Sequence, residues 1–296
     1  MNLKFLAIPF LSLSIVLISC GENSEDKKNQ EAGEDISIDS TINVNESITS
    51  DNNEVSYSLP SALQIAYVLK KSGADFIPSL LNSRENITKY NVSNYKRAVN
   101  FGVYSTDLSY CLFNKKYQES KEYIKTCKDI GSTLGLNQAF ESDNMAQRFD
   151  KNITNEDSVI KIVSNIQLKT DLMFEQNKQK HVPVIAFAGA WAESVYIGSE
   201  VYTKGKNKKV LASLMEQLLL SETIIKALKK YQNTEKEIPT LISSIENIHT
   251  KFNAIATVKT AVEKDEEMDF NSMNVTVDEM QTITELVKTL RASMVN

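Results

Sequence analysis

Glycine and proline are scarce in this chain, at nine and five among 296 residues. So few turn-formers argue against an all-β or glycine-rich α/β design and leave long helices. Alternating apolar–polar runs bounded by turns are missing too. The glycines never cluster, which excludes a phosphate-cradling loop. Lysine and arginine form no continuous stripe, which excludes nucleic acid as a partner held through clustered cations. Lys206, Lys208 and Lys209, like Lys226, Lys229 and Lys230, are interrupted groups typical of solvated helix faces.

Histidine is nearly absent, with two residues. Glu246-Asn247-Ile248-His249 has the Glu-x-x-His spacing of di-iron bundles. Such a centre needs two motifs, and His181 has no companion Glu, so no metal and no cofactor is expected. Nucleophilic hydrolysis is disfavoured as well. There is no Gly-x-Ser-x-Gly elbow, and His181 is expected in a loop before Pro183. Of the three cysteines, Cys111 and Cys127 would lie roughly 3 and 13 residues from a turn near Asn114. Their offset along the axis is about twice the ~7 Å that a disulfide tolerates. They are expected to be small buried side chains.

What is present is ordinary for a globular domain with an appendage: 42% hydrophobic and 24% charged residues. The net charge of −5 is unevenly placed. Residues 21–56 carry ten acids and two lysines, leaving the remainder near neutral. Met1 to Cys20 has one lysine and an apolar run from Phe5 to Ile18, the pattern of a secretory signal (residues 1–19) and not of a transmembrane span. Its ending, Leu17-Ile18-Ser19-Cys20, resembles the lipobox of bacterial lipoproteins. That implies cleavage before Cys20 and lipidation there, with the membrane as a partner. Residues 20–56 lack the apolar area to offset ordering and read as a disordered acidic tether. The early acids Glu22, Glu25 and Asp26 resemble the surface-export tether of Bacteroidota lipoproteins, which implies an outer-membrane location with export to the surface. Asp39-Ser40-Thr41 and Asp157-Ser158-Val159 resemble the O-glycosylation sequon of the same bacteria, although the second also suits a helix N-cap.

Residues 57–296 read as one all-α domain, a bundle of about seven to nine helices. Expected helices span Leu59 to Gly73, Ser93 to Phe113, Tyr117 to Leu134, Asn137 to Phe149, Asn155 to Lys178, Val210 to Tyr231, Ile238 to Val262 and Val277 to Met294. Between them, Val184 to Tyr202 is apolar nearly all round and carries the single tryptophan, Trp191. A helix with no face for water belongs at the centre of a bundle.

Two helices echo one another. Asn100 to Cys111 aligns with the stretch ending at Gly198: Gly102 with Gly189, Tyr104 with Trp191, Leu108 with Val195, Tyr110 with Ile197. Each is followed by Asn-Lys-Lys and a second amphipathic helix. This suggests two duplicated helical hairpins whose glycine–aromatic helices are neighbours at the centre. Leu108 to Ile130 is also distantly tetratricopeptide-like, without a 34-residue period. The Asn-x-Gly-x-Tyr-x-x-Asp-Leu core (Asn100, Gly102, Tyr104, Asp107, Leu108) and the Gly-x-Trp-x-Glu core (Gly189, Trp191, Glu193) resemble those of an uncharacterised family of helical Bacteroidota lipoproteins. The resemblance covers most of Leu59 to Asn296 and implies no particular activity.

Asp107 and Glu193 are the costly residues, because a carboxylate on an apolar helix needs a partner once buried. One reading is structural, each acid bonding a tyrosine, Arg97 or Arg148. The other is a paired-acid ligand, metal or catalytic site, with Tyr104, Trp191 and Tyr196 as candidate ligand-binding neighbours. Aromatics at helical spacing are more often core. The function expected is a lipid-anchored envelope protein whose helical domain binds or scaffolds an unknown envelope protein or small ligand, with a ligand or metal site or an enzyme built on Asp107 and Glu193 as the alternative.

Overall fold

The computed structural model describes residues 75–296 except 142–143, 177–178, 265 and 267, together with 48–51, 54–57, 66–67, 70–71 and 73. The signal segment, Cys20, Asp39-Ser40-Thr41 and the start of the expected first helix lie outside the described residues. Within the stretch read as a disordered tether, β1 (Ile48–Asp51) and β2 (Glu54–Tyr57) pair antiparallel, Ile48 opposite Tyr57 and Asp51 opposite Glu54. Short β-branched and aromatic runs suffice for a local hairpin, and this one lies ahead of the helices.

Two 3-10 turns, Pro78–Leu80 and Arg84–Tyr90, lie in a strap (residues 75–91) that precedes the helices. Eleven α-helices follow among the described residues. They are α1 (Asn94–Phe113), α2 (Tyr117–Ser132), α3 (Asn137–Glu141), α4 (Met145–Asn152), α5 (Glu156–Gln176), α6 (His181–Gly205), α7 (Lys208–Leu219), α8 (Ser221–Lys229), α9 (Ile238–Asn253), α10 (Ala256–Lys264) and α11 (Val277–Val295). The all-α class stands, with more helices than periodicity suggests because three expected helices break. Asn137 to Phe149 is interrupted where Asn144 adopts φ 52°. Val210 to Tyr231 breaks at Leu220, beside which the Ser221 hydroxyl takes the Leu218 carbonyl at 2.5 Å. A hydroxyl bonded to a nearby carbonyl offers the backbone an alternative to the helical ladder. Ile238 to Val262 breaks after Asn253.

Helix starts follow local chemistry. The Ser93 hydroxyl accepts from the Lys96 amide, and Asn207 does the same for Lys209. Thr276 and Glu279 form a reciprocal capping box at α11. At α5 the capping side chain is Asn155, which accepts from the Ser158 amide, and Asp157 sits in the first turn. His181 opens α6, two residues ahead of Pro183, and is not in a loop as expected. Proline is tolerated there because the first amides of a helix have no intrahelical partner.

α6 is long and apolar enough to cross a membrane, but most of it is buried inside the bundle. Its main neighbour is α1. Contacts advance together along both helices: Asn94 with Gln179 just before α6, Gly102 with Ala186 and Ala190, Thr106 with Ala190, and Tyr110 in one cluster with Ile197 and Val201. The two helices therefore run parallel. α2 packs back on α1, α7 on α6, and α11 covers α6 and α9. Cys111 and Cys127 are free and buried.

Candidate functional site

Parallel packing of α1 on α6 carries Asp107 and Glu193 to the same level, where their carboxyl groups interact directly. Both are fully buried. Their cation comes from α11. Arg291 Nε donates to Glu193 Oε2 at 2.9 Å and Nη2 to Oε1 at 3.1 Å. This planar two-point grip is one that a lysine does not reproduce. Arg291 Nη2 also reaches the Leu80 carbonyl at 3.3 Å, and its guanidinium lies 4.7 Å from the centre of the Tyr196 ring.

Asp107 is bonded differently. Its Oδ2 accepts the Asn82 amide at 3.1 Å, while Oδ1 has no fixed donor. Burial, followed by the negative charge of Glu193, pushes the Asp107 carboxyl well above the usual carboxylate range. Burial also raises Glu193, against the pull of Arg291. Arg291 is burdened by its own burial, but the charge of Glu193 raises it beyond its ordinary value. The consistent assignment has Asp107 neutral, with the one remaining negative charge, on Glu193, matched by Arg291. Two carboxyls this close cannot both ionise beside a single cation without large cost.

Tyrosines complete the cluster by holding the strap. Tyr123 donates to the Asn82 carbonyl and Tyr104 to the Ser83 carbonyl, both at 2.9 Å. Tyr90, within the strap, accepts from Asn82 Nδ2 at 3.0 Å and donates to the Val295 carbonyl at 3.1 Å. Burial raises the phenols of Tyr90 and Tyr104, so both stay neutral donors.

The structure thus brings Asp107, Glu193, Tyr104 and Tyr196 into one cluster and sends Trp191 elsewhere. Tyr104 lies in the core beneath the strap. Trp191 turns to α7, its indole nitrogen donating to the Gln217 carbonyl at 2.8 Å. Ser194 donates to Gln217 Oε1 at 2.7 Å beside it. Arg97 and Arg148 are not the partners expected. Arg97 serves Asn91 and Asn94, and Arg148 is exposed. The missed residues are Arg291 and Asn82. Only four arginines exist in the chain, and Arg291 borders the apolar face of α11 formed by Val287, Leu290 and Met294, which is the available signal. Asn82 acts through its backbone, which leaves none.

The histidines stand apart from this cluster. His249 Nδ1 pairs with Ser221 Oγ at 2.9 Å, and His181 lies 3.6 Å from Glu235. No group of three or more His, Cys, Asp or Glu side chains among the described residues is arranged to hold a metal ion.

Fold and site together define a class: an all-helical bundle sealed at its centre by an acid–acid–arginine lock. No protein-family model matches the chain, and comparison with curated proteins and with solved structures finds no significant match either.

Proposed function

We propose that this chain is a lipid-anchored envelope protein whose α-helical domain works as a binding or scaffold module. The single observation carrying the reading is the Leu17-Ile18-Ser19-Cys20 ending directly after an apolar run of signal length. The acidic stretch that follows supports an outer-membrane, surface-directed tether, and the sealed core fits a module that works through its outer surfaces. The partner in this reading is the membrane through Cys20, with an envelope protein or small ligand on the domain. The hairpins α1–α2 and α6–α7 are read as duplicated copies, a reading supported by their glycines occupying equivalent packing roles. A ligand-binding or enzymatic role for Asp107 and Glu193 would need an entry path to two carboxylates that are both fully buried.

The test is metabolic labelling with an alkyne-tagged palmitate in a bacterial host that processes lipoproteins. Wild type is expected to label and to fractionate with the outer membrane, whereas Cys20→Ser loses the label and leaves the membrane. Label retained by Cys20→Ser, or none on wild type, rejects the anchor.

A further inference from the structure

The sequence scatters its lysines, and the fold gathers them. Because α1 and α6 run parallel, the turns that follow them, Asn114-Lys115-Lys116 and Lys206-Asn207-Lys208-Lys209, come to one end of the bundle. The segment ahead of the strap joins them there. Tyr67 packs on Phe113 with 5.2 Å between ring centres, Lys70 Nζ donates to Asn114 Oδ1 at 3.2 Å, and Gly73 lies against the Asn207 side chain. Half-buried aromatics seat cations on the rim. Lys116 Nζ stands 5.3 Å from the centre of the Phe76 ring, and Lys206 Nζ 5.2 Å from that of Tyr202. Both rings pack on the cluster of Leu80, Tyr110, Ile197 and Val201.

Lys70, Lys116, Lys204, Lys206, Lys208 and Lys209 are all exposed, and none pairs with a carboxylate among the described residues. The acids along the same turns are fewer. Glu156 is taken by Lys115 at 2.6 Å, which leaves Asp75, Glu119 and Asp157. Cations gathered this way repel one another, and an anionic surface relieves that repulsion. We propose that this end of the bundle docks on the phosphate headgroups of an anionic bilayer. The proposal rests on the reading of Cys20 as a lipid anchor, since the chain from Cys20 enters the domain at this same end and draws it towards the membrane. Anchor and basic face are then linked contacts, and the second is made at high effective concentration once the first is in place. The rim chemistry favours a bilayer over a soluble polyanion. Tyr67, Phe76 and Tyr202 are half-buried rings beside cations, which suits the headgroup level, where one side of a residue is apolar and the other wet.

The test uses the full chain carrying Cys20→Ser, so that no lipid on Cys20 contributes. An environment-sensitive dye is placed on Thr203→Cys at this end, or on Gln176→Cys beside the start of α6 at the other. Both positions are exposed, and the native thiols Cys111 and Cys127 are buried. Residues 1–19 are common to every arm. On phosphatidylcholine vesicles with about 30% phosphatidylglycerol the dye at 203 is expected to shift to the blue, and in about 0.5 M salt to lose that shift to screening. On pure phosphatidylcholine it stays in water, as does the dye at 176 on either vesicle. Lys208→Gln with Lys209→Gln is expected to weaken the response roughly 25-fold, about five-fold for each lysine, with circular dichroism checking the fold. Equal shifts on both vesicles, equal shifts at 203 and 176, or an unchanged affinity of the double variant overturn the proposal. So does silence of the parent chain on anionic vesicles, the outcome if the acids of residues 21–56 occupy this end, and so does binding of duplex DNA in place of vesicles. These failures strike the docking face alone, whereas loss of palmitate labelling strikes the anchor alone.

Discussion

Gly102 and Gly189 each lie against the backbone of the other's helix. A Cβ on Gly102 would overlap the Ala186 carbonyl oxygen and stand 2.7 Å from the Ala190 nitrogen. One on Gly189 would overlap the Val99 carbonyl oxygen and stand 2.8 Å from its carbon. These neighbours are backbone atoms, which cannot swing aside as a side chain can. This close approach is what places Asp107 beside Glu193.

Gly102→Ala and Gly189→Ala are each expected to cost about 3 kcal/mol or more, the upper range for overpacking. Urea denaturation followed by circular dichroism measures it. The double variant should cost less than the sum, because helices already forced apart have room for the second methyl. A loss below about 1 kcal/mol for either single variant would contradict the backbone contact.

Arg291→Ala strands a buried carboxylate and is expected to cost about 3–5 kcal/mol. Arg291→Lys should recover only part of this, since one ammonium cannot make both bonds. The same denaturation experiment decides it, and a near-neutral Arg291→Ala would remove the lock.

Asp107→Asn resembles the protonated acid and should fold well at neutral pH. The sign of the pH effect follows from the raised carboxyl. Wild type gains stability from keeping the proton, fully so below the ordinary carboxylate range near pH 4, and loses it as pH rises towards the raised folded value. The stability of Asp107→Asn relative to wild type should therefore increase between about pH 5 and pH 8, by up to about 1.4 kcal/mol per pH unit. A difference that stays constant with pH would mean Asp107 is ionised.

Trp191 is the only tryptophan and is fully buried. Native fluorescence should be blue-shifted and resist iodide quenching, with both properties lost in denaturant. Trp191→Phe removes the donor to the Gln217 carbonyl and is expected to cost about 1–3 kcal/mol.

The two acids were legible in the sequence because each interrupts an apolar helix, and an acid there needs a stated reason. Their partner was harder to see. Arg291 is 98 residues from Glu193, and nothing local to α11 distinguishes a guanidinium that turns inward from one that stays in water. The tyrosines were visible as aromatics at helical spacing. Their hydroxyls bond strap carbonyls, and backbone groups leave no trace in residue identity. The helix breaks at Leu220 and near Asn144 were hidden for a different reason, since apolar spacing continues across them.

Sequence alone determined the helical class, the buried central helix and the two expensive carboxyls, because periodicity and burial cost are properties of residues and their near neighbours. Tertiary structure decided which cation answers Glu193, that burial and Glu193 push the Asp107 carboxyl above its usual range, and that a strap closes over the pair. Those outcomes depend on which helices meet and at what level, and at the centre of this bundle that level is set by two glycines without side chains.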